Sequence, residues 1–127
     1  MSIKSTLLKQ IDNFLNELCN IFPKSKDILL LSEKYHLIKN VNSNLIVEYF
    51  VLYIYPHKNK INTQDESFFI EGGGQDEIKN NSGLKFRDNI KTLWLEEMSD
   101  ENKEIIWKYF KLFIILCEKY IIENIEK

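Results

Sequence analysis

The sequence predicts an all-α, single-domain bundle of about five helices spanning 1–127, and three observations carry that prediction. Apolar residues recur every three or four positions in segment after segment. The one stretch of strand-like composition has no second stretch of similar character to pair with, and a lone strand cannot satisfy its own backbone groups. The chain has 127 residues, 44% of them hydrophobic and 28% charged. That suits one compact core and not a disordered polymer.

The first helix is expected from about Ser5 to Phe22, with Leu7, Leu8, Ile11, Phe14, Leu15, Leu18 and Phe22 on one stripe and Asp12, Asn13, Asn16, Glu17 and Asn20 opposite. Pro23 ends it, because the residue before a proline is pushed out of the helical region. Ser25 caps a second helix with Asp27 in its first turn, where the helix dipole favours negative charge. Ile28, Leu31, Tyr35 and Ile38 form its inner stripe, and 40–44 reads as a turn. The stretch 45–55 is apolar on nearly every side except Glu48. It is too long for an ordinary strand, so a central buried helix is expected there.

From Pro56 to about Gly83 the periodicity lapses. A short helix near Gln64 to Phe69 is expected, with Phe68 and Phe69 anchoring the crossing to the core. The glycines Gly72, Gly73 and Gly74 and the polar run 80–83 predict a flexible loop over about 70–83. A fourth helix, about Lys85 to Glu97, presents Phe86, Ile90, Leu93 and Trp94. Ser99 then caps the last and longest helix, which runs to about Ile125 with Asp100 and Glu101 in its first turn. Its main stripe is Ile106, Tyr109, Phe110, Phe113, Cys117, Tyr120 and Ile121, widened by Ile105, Leu112 and Leu116. Ile115 and Ile122 fall beside its charged residues, and Glu104 with Lys108 makes an i,i+4 pair. A helix apolar over more than half its surface is either central or shared with a partner.

Composition excludes several function classes. The 17 Lys+Arg against 19 Asp+Glu give a formal charge of −2, which argues against a dedicated nucleic-acid binder. Two cysteines and two prolines exclude a disulfide scaffold and a Pro-rich linker. The N-terminus lacks the apolar core of a secretory signal, and no window approaches a membrane span. A soluble, intracellular protein with reduced thiols is expected, with no membrane partner. Alanine is absent, while isoleucine, asparagine and lysine supply 47 of the 127 residues, a bias toward AT-rich codons.

No set of residues announces chemistry. Cys19, Cys117, His36 and His57 are enough in number for a zinc site, yet none lies in the short-spaced pairs such sites use. Gly72, Gly73 and Gly74 are followed by Gln75, Asp76 and Glu77, which would repel phosphate. The acid pairs lie in loops or at helix ends, where solvation and capping explain them. No catalytic residue, metal ligand or cofactor is therefore assigned. The first sixty residues hold eight lysines against five acids, whereas the rest hold nine basic and fourteen acidic groups. Lys24, Lys26, Lys58 and Lys60 are the candidates for weak nucleic-acid association through that more basic half.

Three elements carry a resemblance. These are Phe14 to Leu18 leading into Ile21, Phe22 and Pro23; the middle run Asp65, Glu66, Ser67, Phe68, Phe69; and Ile90 to Trp94 followed by Ser99 to Phe110. Together, an "FP" helix end, an "FF" element and a "W…S-x-x-x-K-x-x-I-W-K-Y" helix entry resemble uncharacterised helical proteins of mimivirus-like giant DNA viruses. The resemblance covers most of the chain apart from the glycine loop and implies no activity. It implies a host or viral protein as partner and the host cytoplasm or virion as location. The expected function is a non-enzymatic protein-interaction module docking through the last helix, at Trp107, Ile115 and Ile122, or through the N-terminal helix, with a homodimer as one arrangement.

Overall fold

The computed structural model describes residues 2–74 and 82–125, and every described regular element is helical. Helix α1 (Ile3–Ile21) starts two residues earlier than its periodicity suggests, because the Ser2 hydroxyl accepts the Ser5 N–H at 3.0 Å. Pro23 lies two residues past its end, after the Phe22 cap. Helix α2 (Lys26–Asn42) is capped by Ser25, whose Oγ accepts the Ile28 N–H at 3.3 Å. The expected turn at 40–44 contracts to Ser43 alone, since α3 (Asn44–Tyr49) begins at once.

The strand-like stretch is helical, as its lack of a partner required. α3 passes into a π turn (Phe50–Ile54), where the Tyr55 N–H bonds back to the Phe50 carbonyl, and then a 3-10 turn (Tyr55–His57). Pro56 does not stop the chain there. It stands in the first turn of the 3-10 segment, where no α-helical N–H bond is forfeited. The helical path therefore continues through α4 (Lys58–Asn62), which the sequence periodicity does not predict. Gln64 then adopts φ 53° and turns the chain toward α5 (Ser67–Ile70).

Helix α6 (Phe86–Glu96) and helix α7 (Asp100–Ile125) follow their sequence patterns closely. Ser99 Oγ accepts the Asn102 N–H at 3.2 Å at the start of α7. The first N–H of α6 is satisfied from outside its own helix, by the Tyr49 hydroxyl at 3.2 Å.

One apolar core joins all these elements. α1 lies along α7, with Phe14 meeting Phe110 and Phe113 edge-on at 5.5 and 5.7 Å. α2 is fastened to α1 by two contacts. The Tyr35 hydroxyl donates to the Leu8 carbonyl at 3.1 Å, and Lys39 pairs with Asp12 at 2.7 Å. Burial, then the Asp12 carboxylate, holds the Tyr35 phenol well above its ordinary pKa. At the far end, Phe69 stacks on Trp94 at 4.4 Å and packs against Trp107 and Phe110. The predicted anchoring by Phe68 and Phe69 is therefore found, and both are fully buried.

The glycine loop divides. Residues 75–81 of the expected flexible stretch lie outside the described residues, while Gly72 and Gly73 are buried. Gly73 N–H donates to Asp88 Oδ1 at 2.9 Å. Gly72 has φ 70°, and a Cβ there would collide with the same carboxylate oxygen. This part of the loop is a fixed contact between α5 and α6, not a free linker.

Candidate interaction surfaces

The strongest electrostatic feature inside the core is Arg87, the sole arginine, only 3% exposed on α6. Its Nε donates to the Phe68 carbonyl at 2.8 Å and its guanidinium lies 4.3 Å from the Phe68 ring centre. Nη1 lies 3.3 Å from His57 Nε2. An arginine can only donate, so in this contact His57 Nε2 is the acceptor. The group fastens α5 and the 3-10 turn to α6. Sequence periodicity missed it because a charged residue beside an apolar stripe reads as solvated.

Both thiols are held as packing groups, whereas His36 is exposed. Cys117 is fully buried on α7, and burial pushes its thiol up to about 12, so it stays protonated. Cys19 is partly buried against the core, and His36 meets the Tyr35 ring edge-on at 5.1 Å. Among the described residues no three His, Cys, Asp or Glu side chains gather to hold a metal ion.

Trp107 does not belong to an outward docking face. It is 3% exposed, with its ring centre 5.2 Å from both Phe69 and Trp94. The helical wheel puts it beside Glu104, Lys108 and Lys111, but the α5 anchor covers that side of α7 and draws the indole inward. Ile115 and Ile122 do face outward, at 50% and 51% exposure. The expected Glu104–Lys108 pair is absent, because Glu104 accepts instead from Gln64 Nε2 at 2.8 Å.

A second outward apolar line escaped sequence reading. Leu30, Leu37 and Val41 on α2 are between 60% and 77% exposed. The signal was present, since 28–31 is an unbroken apolar run that one buried stripe cannot absorb. Leu30 and Leu37 also border a shallow groove of about 420 Å3 whose other wall carries Gly83, Lys85 and Asn89.

The four candidate lysines do not form one basic face. Lys58 pairs with Glu118 at 3.3 Å and Lys60 with Glu71 at 3.6 Å. Lys24 and Lys26 stand at the α1–α2 turn, where Lys24 shares a groove with Asp27 and Glu97.

Between α1 and α7 lies a notch of about 290 Å3 lined by Glu17, Ile105, Lys108, Tyr109 and Leu112. Glu17 Oε2 is shut off from solvent and has no hydrogen-bond partner among the described residues. Burial, then the neighbouring Glu17 carboxylate, raises the Tyr109 phenol above its ordinary pKa.

Comparison with family models, curated proteins and solved structures gives no match. No described helix is long and apolar enough to cross a membrane.

Proposed function

We propose that this chain is a non-enzymatic protein-interaction module. One observation carries the reading: α2 and α7 each bury one apolar stripe and expose another, Leu30, Leu37 and Val41 on the first and Ile115 and Ile122 on the second. A helix that only completes its own core has no use for a second stripe. Apolar side chains at such helical spacings suit docking against another helix. The packing of both thiols, and of His57 between Arg87 and Phe68, supports a non-catalytic reading. In line with the giant-virus resemblance, the partner in this proposal is a host or virion protein.

The test is capture from lysate by the tagged full chain and by two double variants, Leu30→Ser/Leu37→Ser and Ile115→Ser/Ile122→Ser. All four sites are at least half exposed, so the denaturation midpoints should stay near that of the parent. A partner retained by the parent and lost by one double variant supports the module and identifies its working face. Retention by both variants, or no specific partner at all, overturns it. Sedimentation equilibrium shows whether the partner is a second copy.

A further inference from the structure

On α7, residues 105, 108, 112, 115, 119 and 122 alternate steps of three and four, the spacing that lays one helix along another. They read Ile, Lys, Leu, Ile, Lys, Ile, and from Lys108 onward all but the half-buried Leu112 are exposed. The first half of the line borders the notch against α1. From Leu112 the line continues for roughly 15 Å to Ile122, at about 1.5 Å per helical residue.

The notch is chemically incomplete. Its lining surface is mainly apolar, yet it includes a carboxylate oxygen that is closed to solvent and short of a full hydrogen bond, with the Tyr109 phenol beside it. An enclosed carboxylate oxygen without a full hydrogen bond is destabilising until a stronger donor reaches it. Lys108 sits at the rim but makes no ion pair among the described residues. A cation on an aliphatic stem would complement that carboxylate more strongly than the neutral phenol does. A volume of about 290 Å3 lies at the lower edge of small-molecule pockets, about 300–1,000 Å3, and suits a single side chain. A free amine of that size would leave Ile115 and Ile122 uncovered.

We propose that the α1–α7 notch receives a lysine or arginine side chain from an amphipathic helix of a partner protein laid along the outward line of α7. The cation pairs with Glu17, its stem packs on Ile105 and Leu112, and apolar side chains of the same helix cover Ile115 and Ile122. This rests on the interaction-module reading and names the partner's chemistry at one of its two faces.

The probes are side-chain analogues, butylammonium and propylguanidinium, with neutral 1-pentanol as control. Each is titrated into the 15N-labelled full chain and followed by amide shifts. The cations should bind saturably at 17 and 105–112, about tenfold more tightly than pentanol, and Glu17→Gln should remove the difference. Equal affinity for all three probes, or a cation preference that survives Glu17→Gln, overturns the notch. So does a rise of a unit or more in the Glu17 pKa on Lys108→Met, because Lys108 then already fills the role. With the captured partner, Glu17→Gln should weaken binding about tenfold while Ile115→Ser/Ile122→Ser abolishes it. Loss with the isoleucine variant alone overturns the notch and leaves the module standing. Amine binding without capture of any protein overturns the partner helix as the source of the cation.

Discussion

The α1–α7 pair and the crossing from Tyr55 to Gly73 hold the same core by different means. α1 and α7 spread burial over many regularly spaced residues, from Leu7 to Leu18 on one helix and from Ile106 to Cys117 on the other. The crossing has little periodicity and depends on a few point attachments. These are Phe68 and Phe69 inserted among aromatic rings, Arg87 on the Phe68 carbonyl, and Gly73 on Asp88. Distributed burial makes each residue dispensable in part. Concentrated attachment makes a single residue decide whether a whole segment stays docked.

That contrast is sharpest at Phe69. Phe69→Ala should cost about 3–5 kcal/mol in denaturant unfolding, against about 2 kcal/mol for Leu8→Ala at the edge of the α1 stripe. Equal losses would erase the distinction. Arg87→Lys keeps the charge but loses the planar fork that reaches both Phe68 and His57. A loss of about 1.5–3 kcal/mol is expected, with hydrogen exchange quickening first in α5 and not in α1.

On the regular side, Cys117 gives a pH signature. Its folded pKa is pushed up to about 12 from the ordinary 9.0. The unfolded chain therefore loses the thiol proton first as pH rises. Stability is unaffected well below 9.0 and falls between 9.0 and about 12, by up to about 1.4 kcal/mol per pH unit from this group. A Cys117→Ala chain should show a shallower alkaline decline in its denaturation midpoint; an unchanged slope would mean that the thiol is solvated. The smallest effect belongs to a helix end. Ser25→Ala should cost about 1 kcal/mol, read in the same denaturant unfolding, by orphaning the Ile28 N–H.

The two regions also differ in how far their structure can be read in advance. α1, α2, α6 and α7 follow from local signals: apolar spacing, the capping serines Ser25 and Ser99, and Pro23 as a stop. Each signal acts within a turn of the residue that carries it. The crossing depends on partners far along the chain. Gly72 requires Asp88, sixteen residues on, and the burial of Arg87 requires the Phe68 carbonyl, nineteen residues back. Pro56 reads as a break because its accommodation beside a π turn is a property of the hydrogen-bond pattern around it. On the candidate surfaces, Ile115 and Ile122 were legible because they fall beside charged residues on the wheel. Trp107 was misplaced for the same reason, since the wheel of α7 contains no trace of α5. The unpaired oxygen of Glu17 depends on the seam between two helices, which neither helix encodes alone.

Both tryptophans of the chain meet at that seam of point attachments, ring centres 5.2 Å apart and planes at 78°. Two indoles so close and so steeply inclined couple as excited-state dipoles, so the native fold carries its own optical gauge. Departure of Phe69 from between α6 and α7 would wet both rings, shift their emission to the red and weaken the coupled dichroism. The far-ultraviolet helical signal, dominated by α1, α2 and α7, would scarcely move. A spectrometer can thus watch the crossing come loose while the rest of the bundle stays folded, with no label added.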